Sequence, residues 1–262
     1  MAPAIVTKSD FLNTYISQTH AERSYQKCKD ILPPKPSKSL AKTVGCLMTD
    51  GYLDVRPRDK SIQYSYIGYF SKYDTELIKF NNHFSKVFNA KGKIREWGVR
   101  KTGTSKGCII LNAQACRILT LTGVPPGDKT KSKYSIPSWV LNSKPLQVEF
   151  LRTIFDCEGS IGKDKGTHSW AIRYSMYKQE PLSDNTIDFL NTIRDMLFQF
   201  GVTTSKPYIT DTYTRTKDNQ KMVGYVIKIR RKDSIISFHK NIGFEIPYKQ
   251  KRLKKAIKEF LS

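Results

Sequence analysis

Two stretches of this chain present the same local signals in the same order, and that duplication restricts the fold to two similar units. Leu40 to Gly51 reads LAKTVGCLMTDG and opens into an alternating segment; Phe150 to Gly159 reads FLRTIFDCEG and opens into another. Asp50 and Glu158 occupy matching places, 108 residues apart. Strand-like Ser61–Phe70 and helix-like Asp74–Phe88 follow the first acid; Ser169–Tyr177 and Ser183–Phe200 follow the second. Leu121-Thr-Gly-Val-Pro125 then answers Asn241-Ile-Gly-Phe-Glu-Ile-Pro247, each with a lysine soon after. Four correspondences in one order mark an internal duplication. The chain accordingly divides into three parts. Residues 1–39 are an N-terminal helical extension and Pro-rich linker, 40–142 a first repeat and 143–262 a second. In the extension, Ser9–Lys29 reads as a helix with Phe11, Leu12, Tyr15 and Ile16 on one side, ended by Pro33, Pro34 and Pro36.

Charge narrows the partner. The 262 residues carry 45 Lys and Arg against 23 Asp and Glu, a formal net charge of +22. Both halves share it: +13 over 1–140 and +9 over 141–262. Self-repulsion on that scale points to a polyanionic partner, with nucleic acid first. A hydrophobic content of 39% is enough for real cores. No apolar run reaches the ~18 residues a membrane helix needs, and the N-terminus has no signal-peptide core. Five cysteines without a C-x-x-C pair suggest neither a disulfide framework nor structural zinc. The expected setting is intracellular, a prokaryotic cytoplasm or an organelle matrix, with no membrane partner. His20, His83, His168 and His239 are scattered, which argues against a histidine metal site, and no phosphate-binding G-x-x-x-x-G-K-[ST] loop is present.

The duplicated helices carry the chemical clue. Ser39 is positioned to cap a helix from Leu40, with Leu40, Val44, Leu47 and Met48 along one stripe. Gly45 lies in that stripe, where glycine costs about 1 kcal/mol against alanine; close approach of another helix is a reason for it. Phe150, Leu151, Ile154 and Phe155 form the second stripe, with Thr153 in the place of Gly45. Side-by-side packing of the two helices would make Asp50 and Glu158 neighbours. A carboxylate at a helix C-terminus faces the negative end of the macrodipole, and a second one adds repulsion. Asp-Gly and Glu-Gly alone are ordinary helix ends. As a matched pair in a repeated frame they point to a metal site. Oxygen donors from Asp50, Glu158 and the backbone near Thr49 and Cys157 suit Mg2+, which generates a hydroxide and stabilises the leaving oxygen in phosphodiester hydrolysis.

Thr43–Gly51 (TVGCLMTDG) and Leu151–Gly159 (LRTIFDCEG) resemble the two motifs of a single-chain LAGLIDADG homing endonuclease, with the motif acids on Asp50 and Glu158. VPPGDK, IPSWVLNS and IGFEIPYKQKRL are similar to the family's flanking sequence, and the resemblance spans Leu40 to Leu261. Thr153 at the helix contact, and Cys46 and Thr49 in the first motif, depart from it. The resemblance implies an α+β fold of two pseudo-symmetric αββαββα repeats, motif helices at their interface and antiparallel sheets forming a DNA-binding saddle. It implies a monomer that cuts both strands of a long, specific duplex site with Mg2+, promoting mobility of its host intron or intein. Mn2+ would substitute, and Ca2+ would support binding without cleavage. Basic residues offsetting phosphate charge then fall, by position, on Lys72 beside Ser71, Lys178 beside Tyr177, and Lys93 and Lys206.

Strand alternation supplies a separate argument. Val223, Tyr225, Ile227 and Ile229 alternate with Lys228 and Arg230 outward; Trp170, Ile172, Tyr174 and Met176 alternate with Arg173, Ser175 and Tyr177. Lys93 and Arg95 share a face, as do Ser61, Gln63 and Ser65. A two-stranded ribbon fits the major groove, where such residues read base edges. Phosphate contacts are expected from Lys101, Lys106, Lys129, Lys131 and Lys133, and from Lys249, Lys251, Arg252, Lys254, Lys255 and Lys258 on the final helix, whose apolar side is Leu253, Ile257, Phe260 and Leu261. The competing functions are an RNA maturase acting on intron RNA, a non-cleaving DNA-binding protein of the same fold, and a nonspecific basic protein.

Overall fold

The computed structural model describes residues 5–58, 61–100, 103–133, 135–164 and 166–261. Two compact units divide the chain: Met1–Asp128 with Pro137–Leu146, and Lys129–Ile136 with Gln147–Ser262.

The extension is two short helices, α1 (Lys8–Leu12) and α2 (Gln18–Gln26), rather than one. Local hydrogen bonding decides this. Thr7 and Asp10 form a reciprocal capping box, and the Ser17 side chain starts a second helix by accepting from the His20 N–H. The expected apolar side is split accordingly, with Phe11 buried and Ile16 71% exposed. Arg117 fastens this extension to its own unit. Its buried guanidinium lies 3.6 Å from the Tyr15 ring centre and 4.0 Å from that of Tyr64, and donates to the Thr14 carbonyl and hydroxyl.

The first repeat then runs α3 (Lys38–Met48), β1 (Gly51–Arg58), β2 (Ser61–Ser71), α4 (Asp74–Phe88), β3 (Lys93–Arg100), β4 (Gly103–Ile110) and α5 (Ala113–Leu121). A short helix, α6 (Ser138–Leu141), precedes the second: α7 (Lys144–Cys157), β5 (Gly159–Lys163), β6 (Trp170–Gln179), α8 (Ser183–Phe198), β7 (Tyr208–Arg215), β8 (Gln220–Ile229), α9 (Lys232–Asn241) and α10 (Pro247–Leu261). Each repeat reads αββαββα, with α10 appended. The sheets are antiparallel with the same strand order, β1-β2-β4-β3 and β5-β6-β8-β7. The duplication read from the sequence is therefore a duplication of topology.

One capping residue differs from expectation. Ser37, not Ser39, caps α3 by accepting from the Leu40 N–H at 3.2 Å, so the helix begins at Lys38. Ser39 lies inside it, near His83. Ser37→Ala is expected to lower the unfolding free energy by about 1 kcal/mol in urea titration, with Ser39→Ala costing less.

Each unit has its own core. Leu53, Ile67, Tyr69, Phe80 and Phe84 are buried in the first; Phe155, Ile172, Tyr174, Ile193 and Phe238 in the second. Phe155 touches Tyr174 and Phe238, with ring centres 5.3 and 5.2 Å apart, fixing the end of α7 over its sheet. The matched glycines after α5 and α9, Gly123 and Gly243, have φ of 107° and 65°, a region that favours glycine. Among the described residues no helix is long and apolar enough to cross a membrane.

Candidate active site and the flanking sheet faces

Both acids stand at the same kind of corner. Asp50 follows Thr49, the C-cap of α3, and Glu158 directly follows α7; each precedes the glycine that opens a strand, and each is exposed. Neither glycine has a positive φ. They are there for space. A Cβ on Gly51 would fall 2.7 Å from Leu47 Cα, and one on Gly159 would fall 2.9 Å from Phe155 Cα, four residues back in each case. A chain reversing this tightly admits no side chain after the acid, so each repeat presents its carboxylate at a fixed helix-to-strand corner.

The electrostatic objection to an acid at a helix end has a local answer in the second repeat. Lys249 in α10 is 5% exposed, and its ammonium donates to the carbonyls of Phe155 (3.3 Å), Gly159 (2.6 Å) and Asp156. A buried cation thus offsets the negative end of α7 on both sides of Glu158. Asp156 ties down the same segment from below, accepting from the Glu245 N–H at 3.0 Å and the Ile246 N–H at 3.2 Å. Burial pushes its carboxyl up to about 6 against the pull of those donors and of Lys249. Arg152 adds a bond to the Ile242 carbonyl at 2.6 Å. Lys249 is therefore not among the solvent- or phosphate-facing lysines of the final helix. Lys251, Arg252, Lys254, Lys255 and Lys258 are exposed. In the first repeat, the end of α3 is closed by the Thr49 hydroxyl, which donates to the Gly45 carbonyl at 2.9 Å.

The basic candidates lie in different settings. Lys72 is exposed beside the Tyr73 ring, Lys93 is exposed at the first position of β3, and Lys206 is exposed just before β7. Lys178 is 2% exposed; its ammonium donates to the Ser132 carbonyl at 2.9 Å and to that of Lys129. It shares the inner face of β6 with Tyr174 and Met176, which alternation sets as firmly as it sets Tyr177 outward. Ser71 donates to Glu76 at 2.5 Å.

On the second sheet, Arg173, Ser175 and Tyr177 of β6 lie opposite Lys228, Val226 and Gly224 of β8. Tyr177 packs over Gly224, where a Cβ would come 2.7 Å from its ring, and its hydroxyl donates to Asp211 at 3.0 Å. Arg173, Lys228 and Arg230 converge on Asp164, just past β5. Sequence reading missed that carboxylate, because one Asp between two lysines in a polar turn carries no periodic signal. Its carboxyl is held below the usual range, first by the Arg173 hydrogen bond. On the first sheet, Gln63 is exposed and Ser65 half-buried on β2, and Arg95 is exposed on β3. Ser61 opens β2 with its side chain outside the described residues, and Lys101 lies outside them altogether. Lys106 pairs with Asp74 at 2.8 Å and Lys131 with Asp218 at 2.7 Å.

Among the described residues no cluster of three or more His, Cys, Asp or Glu could enclose a metal ion. Each corner offers an exposed carboxylate beside backbone carbonyls, with the Cys157 thiol as the one soft donor next to them. That donor set suits a hard divalent cation completed by water and phosphate oxygens, and not a zinc site closed by protein ligands.

Comparison with known proteins gives three findings. Residues 145–243 match the family model of the LAGLIDADG-like domain. The chain is 34% identical over 125 residues to the tRNA-splicing ligase RtcB of Pyrococcus abyssi, and 26% identical over 233 residues to the DNA-directed RNA polymerase subunit Rpo1N of Methanocaldococcus jannaschii. The first match covers 47% of this chain and the second 85%, but only 13% and 17% of those proteins. Among solved structures, the homing endonuclease I-WcaI bound to its DNA recognition sequence superposes with a TM-score of 0.51 at 15% identity, covering 96% of this chain and 98% of that one. At that identity the likeness is one of fold.

Proposed function

We propose, for a chain whose residues 145–243 form a LAGLIDADG-like domain and whose two repeats share the two-repeat LAGLIDADG fold, the function of a site-specific, metal-dependent DNA endonuclease that cuts both strands. The observation carrying this reading is the repeated corner. Two equivalent exposed carboxylates, each locked between a helix end and a glycine without room for a Cβ, suit two scissile phosphates. In this reading Asp50 and Glu158 hold Mg2+, aided by backbone oxygens near Thr49 and Cys157. The ion's chemistry is activation of water and stabilisation of the leaving oxygen. Asp50 and Glu158 orient the attacking water, while Lys72, Lys93 and Lys206 offset phosphate charge. Lys249 keeps the α7 terminus electrostatically compatible with an ionised Glu158. Lys178 serves by holding the Lys129–Ser132 connection in place.

The sheet faces read the duplex. Arg, Lys and Gln side chains at alternate strand positions match base edges in the major groove, and a charge of +22 supplies phosphate affinity. With both half-sites in one chain, the active form is a monomer. Relatedness to short segments of a tRNA ligase and of an RNA polymerase subunit supports a module carried within unrelated hosts, hence a mobile element.

The test is a plasmid library of randomised duplex sites incubated with purified protein in Mg2+, Ca2+ or EDTA. Linearisation at one sequence, in Mg2+ only, is the expected result. Selective binding without cutting under any divalent ion would overturn the endonuclease reading in favour of a binding or RNA-assisting role, with intron RNA as the next ligand. Binding with a steep salt dependence but no sequence preference would leave only a nonspecific basic protein.

A further inference from the structure

We propose that Asp164 is a specificity-positioning residue: one carboxylate that fixes three cations on the outer face of the second sheet, so that they discriminate bases instead of settling on phosphates. This rests on the DNA-reading function above and adds a residue and a device to it.

The argument starts from register. Arg173 of β6 and Lys228 of β8 are directly paired across the ladder and share a face. Like charges directly opposite on a sheet repel. Arg230 comes two residues after Lys228 and returns to the same side, adding a third positive charge. Asp164 answers all three. It accepts from the Arg173 guanidinium, lies 3.0 Å from Arg230 Nη2 and lies 3.5 Å from Lys228 Nζ. The turn holds the carboxylate in place: the Asp164 N–H donates to the Ser169 carbonyl at 2.9 Å, and its own carbonyl accepts from the His168 N–H at 2.8 Å. Lys228 is further confined over the Tyr208 ring.

Burial is graded across the cluster. The side chains of Asp164, Lys228 and Arg173 are 14%, 16% and 23% exposed, while that of Arg230 is 58% exposed. Two cations are therefore held at the base of the face, and one reaches out from it with one guanidinium edge anchored. The Coulombic gain of ion pairs this far out of water is largely offset by the cost of desolvating the charges, so stability is a weak reason for placing a carboxylate here. Recognition is a stronger one. A guanidinium reads a base pair through fixed, paired N–H groups, and holding it in advance removes the entropy cost of ordering it at the groove. An anion in the middle of a basic face also penalises loose docking on phosphates, which lowers competing affinity for the wrong sequences.

The experiment uses the full chain, in Ca2+, with two duplexes: one recovered from the randomised library by the wild type, and a scrambled one of equal length and composition. For Asp164→Asn, binding to the scrambled duplex is expected to rise several-fold and discrimination between the two to fall about tenfold, with the slope of log affinity against log salt steeper by about one. Arg173→Gln should relax preference at the same base pairs, and the double variant should do no worse than the poorer single one. The second variant decides the matter if Asp164→Asn fails to fold by circular dichroism: preference relaxed at one contiguous block of base pairs supports the device. Discrimination unchanged within twofold, or equal loss of affinity for both duplexes with an unchanged salt slope, overturns it while leaving the endonuclease reading intact. A wild type that recovers no preferred duplex overturns the DNA-reading function and this inference together.

Discussion

Asp50→Asn and Glu158→Gln are each expected to slow cleavage of the selected duplex by about a thousandfold, equivalent to ~4 kcal/mol of lost transition-state stabilisation. Binding of the same duplex in Ca2+ should change by less than about threefold, since the amide keeps the side chain's size at an exposed corner that pairs with none of the described basic residues assigned to reading the duplex. The magnitude follows from the corner geometry. Each acid is followed by a glycine whose missing Cβ lets the strand reverse against its own helix, so the next residue has no side chain to replace the lost carboxylate. Both substitutions keep the side chain's size and one acceptor oxygen, and both sites are exposed, so folding is expected to be unaffected. Single-turnover assays on supercoiled plasmid separate the two repeats. If each acid serves one strand, a single variant accumulates nicked circles; if both serve each strand, nicking and linearisation fall together. A variant that linearises plasmid at the wild-type rate removes its residue from the catalytic assignment.

Lys249→Met is expected to cost about 3 kcal/mol of stability, far more than any other lysine on α10. The methylene stem is preserved, so the loss isolates the ammonium. Without it, the carbonyls of Phe155, Asp156 and Gly159 lose a shared donor in a buried place, and Asp156 loses its nearest cation. Lys254→Met, on an exposed position of the same helix, should lie within about 0.5 kcal/mol of the wild type. Urea unfolding of both variants measures the contrast, and equal stabilities would show that Lys249 is an ordinary surface lysine.

The legible part of this protein lay in repetition and alternation. The helix at Asp74–Phe88 forms over the residues its apolar spacing marks, and β6 alternates in burial from Ile172 to Lys178, whereas β8 is buried on both faces from Met222 to Ile227. Matching Gly123 to Gly243 found two left-handed positions, because a backbone that excludes Cβ leaves glycine as its mark in the sequence. The Asp-Gly and Glu-Gly corners were legible for the same reason, although the cause proved to be a close approach and not φ. Where competing caps were available, local pattern was insufficient: Ser37 displaced Ser39, and Thr7 and Ser17 divided the extension into two helices.

By itself, the sequence determined the duplication, the helix-end placement of both acids and the strongly basic character of the chain. All of these are set by residue spacing within some twenty positions, or by composition. The tertiary structure alone decided which cations do which work. Lys249 and Lys178 look like their neighbours in the chain, yet one closes the end of α7 from 90 residues away and the other holds a loop. Asp164 gathers Arg173, Lys228 and Arg230 only because sheet pairing brings β8 beside β6. A lysine or an aspartate has the same local signature whether it is solvated or buried. What distinguishes them is the set of carbonyls and charges supplied by distant segments, and those are assembled only when the chain folds.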